Sequence, residues 1–137
     1  SHVAAVQFWG GYYPDNMPEE TDTFTVLFRA DDAGGAAPGT VITTYGPVGA
    51  TTRADTGVDL FGVDEYVYTI DVDETLAAGS YWIEIYNNTA STDSWFWETG
   101  DLDPVAGVAG SAWTPTFPEE PWNFDPATDL SCVLICD

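Results

Sequence analysis

Apolar and polar residues alternate with a period of two along most of this chain, and helical periodicity is nearly absent. A period-two stripe buries one face of a strand and cannot form the side of a helix, so the pattern restricts the chain to sheet architectures. Thr23–Arg29 places Phe24, Val26 and Phe28 on one face. Tyr66–Val72 does the same with Tyr66, Tyr68, Ile70 and Val72, and Tyr81–Tyr86 with Tyr81, Ile83 and Ile85. Val3–Trp9, Thr40–Tyr45, Ser94–Glu98 and Leu130–Ile135 are shorter candidates. Gly10-Gly11, Pro14-Asp15-Asn16, Asp31 to Gly35, Pro38-Gly39, Ala78-Gly79 and Asn87-Asn88 read as the turns between them.

Short strands with frequent turns, and no strand–helix alternation, predict an all-β fold: an antiparallel β-sandwich of jelly-roll or immunoglobulin type. The 137 residues suit one domain covering 1–137. One stretch breaks the rhythm. From about residue 99 to 128 the chain carries Pro104, Pro115, Pro118, Pro121 and Pro126 among Trp113, Phe117, Trp122 and Phe124. It is expected to be a long loop without regular structure, whose aromatics cap one end of the sandwich or bury against another subunit.

Charge then narrows the function. There are 23 Asp and Glu, no lysine, and only Arg29 and Arg53, for a formal net charge of -21. Such a surface has almost nothing with which to displace phosphate counterions, which excludes nucleic acid as a partner. No apolar run reaches the length of a membrane-spanning helix. Disorder is excluded by a hydrophobic content of 45% and an aromatic content of 15%. An acidic, lysine-free surface suits salty extracellular water, and Asn87-Asn88-Thr89 is a glycosylation sequon with Asn87 as acceptor. The start at Ser1-His2-Val3 fits a mature secreted chain as well as a fragment.

Chemistry finds few footholds. A single histidine, His2, leaves no Ser–His–acid or Cys–His set, and acid pairs arise by chance among so many carboxylates. The chain therefore reads as non-catalytic. Calcium is the cofactor its loops suggest: Asp31-Asp32 before Gly34-Gly35, Asp71 with Asp73 and Glu74, Asp101 with Asp103, and Glu119-Glu120 each offer hard oxygen donors. Bound divalent cations would also relieve the self-repulsion of the surface. Trp95 and Trp97, about 6.6 Å apart on one strand face, form a candidate platform for stacking a polysaccharide ring. Cys132 and Cys136 lie about 13 Å apart if their segment is extended, against the roughly 7 Å a disulfide tolerates. They pair locally only if the tail bends; otherwise they pair with another chain or remain buried thiols.

Phe8-Trp9-Gly10-Gly11-Tyr12-Tyr13, then Phe24-Thr25-Val26 leading into Arg29 to Gly35 and Pro38-Gly39, then Leu76 to Ile83, Trp95-Phe96-Trp97 and Asp129-Leu130 together resemble a group of secreted bacterial β-sandwich modules. These modules are often found ahead of cell-surface sorting tails, and most have no assigned biochemical role. The resemblance implies a sandwich and names no reaction. Members of the group carry a further strand before the tryptophan-glycine motif, where this chain has only Ser1–Val6. A sandwich short of a strand exposes an edge on Val3–Trp9 that another copy could fill. The last segment, Leu130–Cys136, is apolar on both faces and suits docking as well. The expected partners are copies of the chain itself, head-to-tail, with Trp113, Phe117, Trp122, Val133 and Ile135 in the junction. The expected function is an extracellular filament or surface-layer subunit steadied by calcium, with carbohydrate binding as the alternative.

Overall fold

A computed structural model describes residues 1–32, 38–89, 93–100, 112–115, 122–125 and 129–137. The strands are β1 (His2–Tyr13), β2 (Thr23–Asp31), β3 (Pro38–Gly49), β4 (Thr52–Leu60), β5 (Val63–Thr75) and β6 (Tyr81–Asn87). They continue with β7 (Ser94–Trp97), β8 (Thr99–Gly100), β9 (Ala112–Pro115), β10 (Trp122–Asp125), β11 (Asp129–Leu130) and β12 (Cys132–Cys136). No helix occurs among the described residues. Two antiparallel sheets pack together as a β-sandwich, as the alternation predicts.

The first sheet runs β12-β1-β5-β4, with β7 pairing the far half of β1; the second runs β3-β2-β6. β1 is therefore interior, paired to β5 on one side and to β12 and then β7 on the other. This corrects the expectation of an open edge on Val3–Trp9. The chain's own last strand fills the gap, with Val6 opposite Leu134 and Phe8 opposite Cys132.

Gly10 and Gly11 are likewise strand residues opposite Trp97 and Phe96, not a turn. A Cβ on Gly10 would press on the Phe96 carbonyl and come within 2.8 Å of the Trp95 ring, so β7 reaches β1 only because no side chain stands there. In the stretch expected to be irregular, β9 and β10 pair as a short ladder with Trp113 opposite Phe124, and β8 pairs β11. The remaining residues between 101 and 128 lie outside the description. β4 has no apolar stripe to announce it, because nearly all of its side chains are exposed.

The core is aromatic. Phe8 and Tyr68 stack at 5.2 Å between centroids within the first sheet, and Phe24 from the second sheet meets Tyr68 edge-on at 4.8 Å. Trp95 closes the group 5.2 Å from Phe24. Each such buried ring contributes on the order of 2–3 kcal/mol of transfer free energy. Alternation holds in detail on β5, where Tyr68, Ile70 and Val72 are buried and Asp71 and Asp73 are exposed.

Both cations serve as internal ties. Arg29 Nε meets Glu84 Oε2 at 2.8 Å, and its Nη1 donates to the Gly39 carbonyl, joining all three strands of the second sheet. Arg53, on β4, reaches Asp22 at 3.2 Å, donates to the Glu19 carbonyl at 2.7 Å and lies over the Tyr66 ring. Asp22 is only 4% exposed and also accepts the Tyr12 hydroxyl, which in turn accepts from the Asn87 amide.

Candidate functional site

Among the described residues the two packed sheets have five margin strands: β12, β4 and the four-residue β7 in the first, β3 and β6 in the second. An open edge invites another strand unless something blunts it. On β4 the register slips between Asp55 and Asp59, and Gly57 adopts φ 79°. β3 contains Pro38 and Pro47 and three register shifts against β2. β6 carries Glu84, held by Arg29. Against β12 the one register shift, between Val3 and Ala5, puts the extra residue on β1 and leaves β12 itself regular. Its sequence, Cys-Val-Leu-Ile-Cys, has neither charge nor proline, and Val133, Leu134 and Ile135 remain 47%, 39% and 41% exposed.

At its end, β12 is fastened to β1. The Asp137 amide donates to the His2 carbonyl, and the His2 ring bonds both the Asp137 carboxylate and, at 2.7 Å, Asp73. These hydrogen bonds, Asp137 first, raise the His2 pKa above the ordinary histidine value.

The two cysteines do not pair with each other. Both are free on one extended strand, which removes the local disulfide from the alternatives that spacing left open. Cys132 packs against the core, and burial pushes its thiol up to about 12, whereas Cys136 is exposed.

The remaining candidates fall elsewhere. Trp95 and Trp97 present no open platform: both pack on the core, Trp95 against Phe8, Phe24 and Tyr68, while the Trp97 Nε1 donates to the Ser131 carbonyl at 2.7 Å. In a thin sandwich the inward face of a short strand is where large rings find burial. Exposed aromatics gather instead at the β4–β5 turn. Tyr13, Phe61, Ser94 and Phe96 line an open cleft of about 560 Å³. Phe61 is 71% exposed and adopts φ 43°, a left-handed conformation that bulky residues seldom take. Its ring lies 5.7 Å from Tyr13 and 5.4 Å from Phe96. The signal for it in the sequence is Leu60-Phe61-Gly62, an aromatic at a hairpin tip.

Among the described residues, no three His, Cys, Asp or Glu converge as a metal group. Asp31 accepts the Trp82 indole N–H at 3.0 Å, with Asp32 following it, and Asp73 is engaged by His2 while Asp71 shares its exposed face. Asp101, Asp103, Glu119 and Glu120 lie outside the described residues, as does Phe117. Trp113 and Trp122 are placed by backbone pairing alone. The Asn87 amide is committed at both ends, its nitrogen to Tyr12 and its oxygen to the Thr89 N–H, so the sequon is part of the packing of β6.

One acid pair stands apart from the solvated carboxylates. Glu65 is buried, with Oε1 accepting the Thr56 hydroxyl at 2.6 Å, and Glu98 Oε2 is buried without a donor. Burial and a hydrogen bond with Glu65 push Glu98 up to about 7. The raised pKa makes this group stabilising while protonated: its contribution is whole below the unfolded value of about 4.5 and is lost as pH rises through about 7. Glu98→Gln should therefore raise stability at pH 8 by about 1 kcal/mol and leave it nearly unchanged at pH 4. Urea unfolding of both proteins at the two pH values measures this, and equal gains at both would contradict it.

Comparison with protein-family models, curated proteins and solved structures yields no match to this chain.

Proposed function

We propose that the chain is a non-catalytic extracellular structural protein that self-assembles through the edge of β12. The observation that carries this reading is a margin strand without charge or proline whose three central residues are apolar and exposed. A second copy supplies the matching backbone groups and covers those side chains. The acidic remainder of the surface, with a net charge of -21, opposes every other mode of approach and keeps assembly confined to the uncharged margin. The resemblance to secreted sandwich modules and the lysine-free surface support the extracellular placement. Calcium or salt acts here by screening repulsion between approaching copies.

Sedimentation of the thiol-reduced protein over a hundredfold concentration range tests the proposal. The expected result is a concentration-dependent increase in mass that grows with ionic strength, since screening weakens repulsion between like surfaces. Ile135→Lys, on an exposed side chain, should leave the fold intact and hold the protein monomeric. Strictly monomeric wild-type protein at the highest concentration would end the proposal.

The Tyr13–Phe61–Phe96 cleft supports the second reading, binding of a neutral polysaccharide by ring stacking. Phe61→Ala should abolish retardation of the protein in polysaccharide affinity electrophoresis, and unchanged retardation would dismiss the cleft.

A further inference from the structure

Two β12 strands can meet in only a few registers, and their sequence selects one. The Asp137 amide donates to the His2 carbonyl on β1, so residue 137 points its backbone groups inward. Backbone direction alternates along a strand. Residues 132, 134 and 136 consequently direct theirs to the open side. An antiparallel partner centred on Leu134 meets those three residues with its own three, each opposed pair exchanging both hydrogen bonds.

In that register Val133 lies opposite Ile135, and Asp137 lies opposite the uncharged Ser131. Cys132 of each copy lies opposite Cys136 of the other. Registers centred one residue away lose this match and leave part of the apolar segment unopposed. The strand is thus nearly palindromic, Cys-Val-Leu-Ile-Cys read from either end. Opposed hydrogen-bonded residues have Cα atoms about 5.5 Å apart, inside the 4.4–6.8 Å range of disulfides and near its most frequent values. Cys132, Leu134 and Cys136 also share one face, so the opposed thiols project to the same side of the joined sheet.

We propose that β12 is an oxidisable seam, in which Cys132 of one copy and Cys136 of a second copy form a disulfide across a two-fold pair of β12 strands. The inference rests on the self-assembly reading and sharpens it, replacing a head-to-tail contact by a two-fold one. The oxidant is a small-molecule disulfide. The exposed Cys136 thiolate attacks it, forming a mixed disulfide and releasing one small thiol. Cys132 of the facing copy, of which burial leaves only a small thiolate fraction, then attacks the Cys136 sulfur slowly, expelling the second small thiol. Two protein thiols thereby lose two electrons and two protons to one small disulfide, which leaves as two thiols.

The test uses full-length Cys132→Ser and Cys136→Ser proteins incubated with oxidised glutathione, separately and as an equimolar mixture. The mixture alone contains one matched pair, so it should yield about tenfold more cross-linked dimer than either protein by itself, because strand pairing raises the effective concentration of the matched thiols. Disulfide mapping of oxidised wild-type protein gives a readout without substitutions and should return Cys132 joined to Cys136 between chains. Equal cross-linking in all three samples, or a mapped Cys136–Cys136 bond, would overturn the two-fold register. A reduced dimer that never cross-links would refute the seam while leaving self-assembly standing. A reduced monomer that fails to cross-link would remove both.

Discussion

Arg53→Met is expected to destabilise the fold by about 3–5 kcal/mol, the range found when one partner of a buried ion pair is removed and the other charge remains. Asp22 is the charge left behind. It is buried, and its other contact is with the Tyr12 hydroxyl, itself inside the sandwich. The lost side chain also releases the Glu19 carbonyl and uncovers the Tyr66 ring. Methionine fills much of the volume, so the loss reports charge and hydrogen bonding more than cavity. Urea unfolding measures it directly, and the double variant Arg53→Met, Asp22→Asn should recover a large part of the deficit. High salt separates this mechanism from general surface repulsion, since a buried pair is poorly screened. A loss below about 1 kcal/mol, or full rescue by salt, would show that the tie contributes little.

Phe8→Ala should lower stability by about 3–5 kcal/mol through a cavity at the centre of the core. Phe8 is fully buried and contacts the rings of Phe24, Tyr68, Trp95 and Trp97, so the void borders both sheets and β7. Two of those neighbours belong to the strand that β1 admits only through Gly10, which leaves little freedom to collapse inward. A loss of this size is a large fraction of the roughly 5–15 kcal/mol typical of a domain. Phe8→Leu should retain most of the stability and serves as the control. The urea midpoint together with near-ultraviolet circular dichroism checks the expectation. A loss under about 1.5 kcal/mol would mean that the surrounding rings repack.

The strands that bury a stripe are legible in the amino-acid pattern alone. Phe24, Val26 and Phe28, and Tyr68, Ile70 and Val72, advertise an inward face because burial imposes the alternation. β4 is not legible in this way, since a margin strand exposed on both sides leaves no apolar trace. Pairing order escapes sequence reasoning for another reason. That β12 returns to cover β1 depends on a contact between the two extremes of the chain, which local pattern does not encode. Trp95 and Trp97 illustrate a third limit: their spacing places them on one face, but which face meets the core depends on two glycines in a distant strand. The apolar character of residues 133–135 and the cysteines at 132 and 136 are visible in the pattern, whereas the direction of their backbone groups is not.

The terminal strands lie side by side and run in opposite directions, so Ser1 and Asp137 share one pole of the molecule. Tension applied through the two ends would open the β1–β12 ladder one hydrogen bond at a time, like a zipper, and would never load its rungs together in shear. A sandwich of this topology is mechanically soft when pulled lengthwise as a link in a chain. Force carried sideways, from one β12 to another, would avoid that weak axis.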